Sequence, residues 1–429
     1  MRTRLLQGCS CWRVFSHVLG RGTREMRYER VLLTVGLAAV AGIAQDFSNI
    51  NAGGFSSSVT AGRSVDLTGP YFQAQGSNGR SCSTCHLQQE AWSITPETIR
   101  LLFVQTAGTH PIFNPLDADN PEGDLSSAQA RSMGYSMMLT RGVFRRGGAP
   151  AAVREWDVIA VDDPHGYANV NRIVQWRRVM PTINFRLGSA TVAWDGGNTT
   201  GADQVAGLTN QAMRNVTGAQ QGHAAPADVI GAIVGFETSL SAAQQFSFSA
   251  GSLNAGGARG GPEELPGMLK APGRFDLFDA WMKSPSEARA RIARGQQLFN
   301  NPNAGNGRSC NFCHSSSNNG TNFSDALFDI GTASAEARTP DLPLYTIRNR
   351  TTGEERRLTD TGQGNVTGLW SDLGKFKTPT LRALSARAPY FHNGIAATLD
   401  DVVRHYERRL NFVFTDQERE DLVAFLRAL

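Results

Sequence analysis

The chain has 429 residues, 40 % of them hydrophobic and 19 % charged, which excludes a disordered polymer and leaves room for two or three globular units. Its formal charge of +4 is carried by the first 44 residues, where seven arginines face Glu25 and Glu29 and leave the remainder near −1. A near-neutral body excludes charge-driven nucleic-acid binding, and it supplies no basic patch for an anionic membrane.

Residues 1–44 read as an export leader. Arg27 and Arg30 flank a short positive region, and Val31 to Ala44 is apolar. That run is shorter than the about 20 residues a membrane-spanning helix requires. Gly42-Ile43-Ala44 places small residues before Gln45, so cleavage is expected near Ala44, with delivery to the periplasm. Met26 stands where such a signal normally starts. An uncleaved leader is the one expected tie to a membrane.

The first chemical clue follows in a unit expected over 45–275. Of six cysteines, Cys9 and Cys11 fall in the leader, and the other four form two Cys-x-x-Cys-His patterns. The first is Cys82-Ser83-Thr84-Cys85-His86. Two cysteines at this spacing can hold a porphyrin by thioether bonds, with the adjacent histidine as proximal iron ligand. The rivals are a zinc site or a redox dithiol. A zinc site needs further Cys or His nearby, and neither motif has any close in sequence. Residues 105–165, rich in Pro, Asp, Asn and Gly, look like an insertion, and the Gly/Pro-rich stretch 250–273 reads as a linker.

A second unit is expected over 276–429. Ser284-Pro285-Ser286-Glu287 predicts a capped helix start, with the helix running to about Phe299. The second motif is Cys310-Asn311-Phe312-Cys313-His314. Asn306-Gly307-Arg308-Ser309 before it repeats Asn78-Gly79-Arg80-Ser81, so the two haem c sites look like copies of one module. Leu399, Val402, Val403 and Tyr406 share one helix face, with His405 about 100° away. Thr415-Asp416-Gln417-Glu418 caps a final helix. No alternating strand pattern is strong, so the fold is expected to be mainly α.

The C-terminal block Phe376-Lys377-Thr378-Pro379-Thr380-Leu381-Arg382, then Ala388-Pro389-Tyr390-Phe391-His392-Asn393-Gly394 and Thr398-Leu399, resembles the bacterial di-haem cytochrome c peroxidases and their MauG relatives. Met180-Pro181-Thr182 and Trp194-Asp195-Gly196 resemble the same family. The resemblance implies two cytochrome c-like domains, each with one covalently attached haem. It implies that hydrogen peroxide meets the N-terminal haem, that the C-terminal haem relays electrons, and that Trp194 lies between them. It makes Tyr406 the second axial ligand of the C-terminal iron, as in MauG; no methionine follows Met282 to replace it. On the peroxide side it aligns Gln211 with a distal glutamine. The glutamate position falls at Gln220-Gln221, where no carboxylate stands; His223 is the nearby group able to carry a proton. A calcium ion between the halves is implied through backbone oxygens of Arg387 and Pro389, with Val179 standing where the family has an asparagine. His110, His165, Met133, Met137 and Met138 are further candidates for the sixth position of the first iron. Electrons would come from a small cytochrome c, a cupredoxin or an oxidised side chain of a protein substrate. Two functions remain open: a peroxide-using enzyme, which Tyr406 and the family blocks favour, and a plain electron carrier, which the missing distal carboxylate favours.

Overall fold

The computed structural model describes residues 48–62, 65–301 and 309–429. The leader, its cleavage site near Ala44, and Asn306 to Arg308 of the second repeat lie outside them. In chain order come β1 (Ser48–Asn51), β2 (Gly54–Val59), α1 (Pro96–Thr106), α2 (Ala128–Gly134), α3 (Ser136–Arg141), β3 (Val143–Gly148), β4 (Trp156–Asp162) and β5 (Ile173–Arg178). Then follow α4 (Gln204–Arg214), α5 (Ala227–Ser239), β6 (Ser241–Ser247), β7 (Gly251–Ser252) and α6 (Glu287–Asn300). The chain closes with β8 (Leu327–Phe328), β9 (Leu344–Asn349), β10 (Glu355–Leu358), β11 (Phe376–Lys377), α7 (Leu399–Leu410) and α8 (Asp416–Ala428).

This corrects the expectation of a mainly α fold. The described residues are 35 % helical and 16 % strand, and the strands form several sheets. Among the described residues, one sheet has the order β1-β2-β6-β7, another β10-β9-β4, and two-stranded ladders pair β3 with β5 and β8 with β11. The strands escape a sequence reading for a physical reason. All six residues of β5, Ile-Val-Gln-Trp-Arg-Arg, are buried, so apolar and polar positions do not alternate. In β2 the buried run is Ser56-Ser57-Ser58, and β6 is built on Ser, Ala and Gln. Residues that shun strands by propensity are held there by pairing and burial.

The stretch 105–165 carries α2, α3, β3 and β4. Its strand β4 pairs antiparallel with β9, Trp156 opposite Asn349 and Asp162 opposite Leu344. The Tyr345 hydroxyl of β9 accepts from the Val174 amide at 2.7 Å and donates to the Val174 carbonyl at 2.8 Å. This stretch is thereby stitched to the C-terminal part of the chain. The Gly/Pro-rich stretch is packed rather than loose: Leu253 and Ala258 belong to the largest core cluster, with Phe275, Phe278, Trp281, Phe299 and Phe425.

That core is organised by α6 crossing α8. The crossing is close: a Cβ on Gly295 would lie 1.9 Å from the Asp421 carbonyl. Any side chain there would force the helices apart. Helix α8 begins at a reciprocal cap, where Thr415 Oγ1 accepts from the Glu418 amide at 3.2 Å and the Thr415 amide donates to Glu418 Oε2 at 2.8 Å. Helix α6 starts two residues later than the sequence predicts, with Ser286 at its cap position. A second cluster gathers Tyr71, Trp92, Ile183, Leu208, Val216, Ile230 and Ile233 around α4 and α5. No described helix is long and apolar enough to cross a membrane.

Candidate functional site

The two Cys-x-x-Cys-His segments fold alike. Each begins with a tight 3-10 turn, Cys82–Thr84 in one and Cys310–Phe312 in the other. In the first, the Ser81 amide donates to Thr84 Oγ1 at 2.9 Å and fixes the turn. Arg80 anchors it from below: its buried guanidinium pairs with Asp117 at 2.6 Å and donates to the carbonyls of Pro111 (2.8 Å) and Ile112 (2.6 Å).

Each histidine is oriented through its Nδ1, which leaves Nε2 as the outward donor atom. His86 Nδ1 lies 3.0 Å from the Trp92 carbonyl, and His314 Nδ1 lies 2.5 Å from the Gly320 carbonyl. Desolvation pushes both imidazoles down to about 4, so both are neutral at physiological pH, as iron ligation requires. The cysteines behave opposite to a redox dithiol. Burial pushes the Cys85 thiol up to about 11 and the Cys310 thiol up to about 12, whereas reactive Cys-x-x-Cys thiols are acidified. Among the described residues, no group of three or more His, Cys, Asp or Glu converges as a metal-ion site, so a four-ligand zinc centre has no ligand set there.

Two adjacent cavities carry the motifs. Cys82, Cys85 and His86 line the first, and Cys310, Cys313 and His314 line the second. The first is the more polar of the two, with Arg177, Gln211, Gln220 and Glu237 in its walls. Leu116, Asp117 and the segment Phe144 to Ala149 also line it, so part of the 105–165 stretch forms its rim. The second is mostly apolar, walled by Phe299, Phe328, Leu399, Val402, Val403 and Leu426 among others.

Trp194 lines both cavities, as do Arg178, Val179, Pro181 and Lys377. Its indole Nε1–H donates to the Arg178 carbonyl at 2.8 Å, which fixes the ring. The next residue, Asp195, pairs with Arg177 at 2.5 Å, and Arg177 also pairs with buried Asp360 at 2.9 Å. These two carboxylates outweigh burial and hold the guanidinium firmly charged. His392 stacks on Phe376 at 3.8 Å and sits 6.3 Å from Trp194, ring centre to ring centre. Lys377 is buried, donates from Nζ to the Thr191 carbonyl at 2.5 Å, and is pushed down to about 8 by desolvation.

Tyr406 lines the second cavity together with Leu399, Val402 and Val403, the other residues of its α7 face. Burial raises its hydroxyl well above the usual tyrosine range. His405 turns away and meets the Ile330 carbonyl at 2.8 Å. Around the first cavity, Gln211 projects from α4 into the wall, its Oε1 buried without a partner. Gln221 and His223 are exposed and outside the cavity lining. Neighbouring Gln220 is the residue that turns inward, its Oε1 accepting from the Gln75 amide at 2.9 Å. The other first-iron candidates lie away from this cavity: His165 meets the Asp341 carbonyl at 3.0 Å, Met133 is exposed, and Met137 and Met138 sit in other core clusters. Met180 is the methionine in the lining. The Arg387 carbonyl accepts from the Arg178 guanidinium at 3.3 Å, and Pro389 lies in the second cavity's wall.

Glu237 is the site residue that sequence reasoning missed. It is buried, its Oε2 has no hydrogen-bond partner, and burial alone pushes its carboxyl up to about 8. A signal existed. Gly235-Phe236-Glu237-Thr238-Ser239-Leu240 on α5 parallels Ala424-Phe425-Leu426-Arg427-Ala428-Leu429 on α8. Leu426 lines the second cavity where Glu237 lines the first. A glutamate in a leucine's place within a repeat marks a position worth singling out.

Comparison with known proteins fits this arrangement. No protein-family model matches the chain. It is 36 % identical over 177 residues to the cytochrome-c peroxidase IdrP1 of Denitromonas iodatirespirans, a match covering 35 % of this chain and 44 % of that one. It is 30 % identical over 167 residues to the methylamine utilization protein MauG of Methylophilus methylotrophus, covering 35 % and 41 %. The chain thus spans less than half the length of these curated relatives. A solved MauG-like protein associated with microbial copper homeostasis aligns over 84 % of this chain and 85 % of its own, at 15 % identity and a TM-score of 0.42, a likeness too loose to bear on the fold. These relatives support a likeness to the bacterial cytochrome c peroxidase/MauG-like proteins.

Proposed function

We propose that the chain is an exported, periplasmic di-haem oxidoreductase that uses hydrogen peroxide. Cys82 and Cys85 would hold one haem c, with His86 on its iron; Cys310 and Cys313 would hold the other, between His314 and Tyr406. The donor set fits: at each site two half-buried cysteines and a neutral imidazole with Nε2 outward line one cavity. Haem bound at these residues would supply iron able to take up peroxide and exchange electrons.

The rest is work for the chain's own groups. Gln211 presents an amide in the first cavity, able to orient a peroxide by hydrogen bonds but not to move its proton. Glu237 keeps a proton to about pH 8 and is the carboxyl there that can hold a transferable one at neutral pH. Trp194, pinned by the Arg178 carbonyl, offers an aromatic path between the cavities. A small cytochrome c, a cupredoxin or an oxidisable side chain of a partner protein would supply the electrons.

The observation that carries this reading is that one indole lines both motif-bearing cavities. The test is the ferric absorption and EPR spectrum of the mature protein, before and after peroxide. A high-spin component that shifts with peroxide is expected. Two low-spin haems silent to peroxide in every redox state would instead favour the electron-carrier reading, which the exposed positions of Gln221 and His223 support.

A further inference from the structure

The family resemblance implies a calcium ion between the two halves, held by carbonyl oxygens around Ala388 and a side-chain oxygen. The residues present here do not fit it. Calcium takes six to eight oxygens. The position that should give a side-chain oxygen is Val179, whose carbonyl is engaged by Ser93 Oγ at 2.7 Å. Of the carbonyls that remain, that of Arg387 already has a cation, as does that of its neighbour Ala388. Arg178 Nη2 donates to the carbonyls of Arg387 (3.3 Å) and Ala388 (3.4 Å), and its Nη1 donates to those of Arg141 (3.2 Å) and Gly142 (3.1 Å).

We propose that the Arg178 guanidinium takes the place of the inter-half calcium, so that this protein holds its two haem-binding halves together without a divalent metal. Arg178 is buried, which lowers its pKa to about 10 and still leaves it charged at neutral pH; the charges it senses are Glu90, the like-charged Arg387 and the Tyr390 hydroxyl. Glu90 follows the first haem motif, Arg141 and Gly142 end α3, and Arg387 and Ala388 belong to the C-terminal block. One planar side chain with several fixed donors thus ties the end of α3 to the C-terminal block. The Arg178 main chain adds to this: its amide donates to the His392 carbonyl at 2.5 Å and its carbonyl receives the Trp194 indole N–H. The surroundings are cut to a guanidinium. Gly142 adopts φ +59°, and a Cβ there would come within 2.2 Å of Nη1. A dication beside this fixed positive charge would be repelled, not recruited.

The inference does not depend on peroxide chemistry, so its test reads metal and melting rather than turnover. Mature haem-loaded protein, desalted, should contain far less than one calcium per chain by atomic emission, and its melting midpoint should be the same in EGTA and in millimolar calcium. One retained calcium per chain, or a midpoint that drops in EGTA, overturns the proposal. The double substitution Arg178→Met, Val179→Asn removes the internal cation and restores the side-chain oxygen. It should bind one calcium per chain and melt higher when calcium is added. If it folds and ignores calcium, the carbonyl cage is not a cation site and the inference fails. Should it not fold, the metal content and EGTA response of the unaltered protein still decide.

Discussion

The two cavities are built on the same five-residue motif and share the wall around Trp194, but their remaining walls differ. The first has walls bearing Arg177, Gln211, Gln220 and Glu237, whereas Phe, Leu and Val dominate those of the second. The repeat makes the contrast sharp, since the same helical position is Glu237 on α5 and Leu426 on α8. Polar walls suit a small polar reactant and proton movement. Apolar walls suit an iron that changes oxidation state with little rearrangement of solvent. In this reading the motif brings the cofactor and its walls decide what the cofactor does.

The largest expected effect separates the two sites outright. Cys82→Ala with Cys85→Ala should remove one porphyrin mass from the denatured chain and, with it, the peroxide-sensitive part of the spectrum. Cys310→Ala with Cys313→Ala should remove the same mass and leave a peroxide response. Mass spectrometry and a peroxide titration check both. If either pair can be replaced without losing a porphyrin mass, that site does not carry a haem.

A smaller effect tests what distinguishes the second cavity chemically. An oxygen ligand favours the ferric state, so Tyr406→Phe should raise the potential of one haem by on the order of 100 mV and alter its spectrum alone. A redox titration followed optically reads both. Unchanged bands would show that another group, or water, completes that iron.

How much of this is legible in the sequence depends on whether a feature is local. The Cys-x-x-Cys-His segments and the α7 face ending at Tyr406 are set by spacing of a few residues, and so is the Thr415–Glu418 cap of α8. Linear counting stops working at the first cavity's far wall. After α4 the chain makes a π turn over Asn215–Ala219 and then a left-handed residue, Gln221 at φ +55°. That rotation turns Gln220 into the cavity and Gln221 into solvent, a choice no alignment by spacing makes. The strands fail to register because β2, β5 and β6 bury serine, alanine, glutamine and arginine, whose places are decided by partners far along the chain. Arg177 is one case, since its partner Asp360 is 183 residues away. Glu237 is another, because a lone glutamate on an apolar helix acquires meaning only beside its counterpart on α8.

That glutamate supplies the subtlest test of the comparison. Its folded-state value, about 8, lies above the ordinary 4.5 because burial penalises the charged form. The folded protein therefore binds one more proton than the unfolded chain between roughly pH 4.5 and 8. The sign follows: stability attributable to this group is present at low pH and is lost as pH rises through that window, with a total on the order of a few kcal/mol. Glu237→Gln keeps the shape and removes the titration. Denaturant unfolding of the haem-loaded protein at pH 5 to 9 should show the unaltered chain losing ground to the variant as pH rises, most of it by pH 8. Glu237→Leu, which copies the second cavity, should be at least as stable as the glutamine variant above pH 8, because it leaves no unpaired polar atom in the wall. Parallel curves for all three proteins would mean that the carboxyl is not held protonated, and that the polar character of the first cavity does not extend to proton storage.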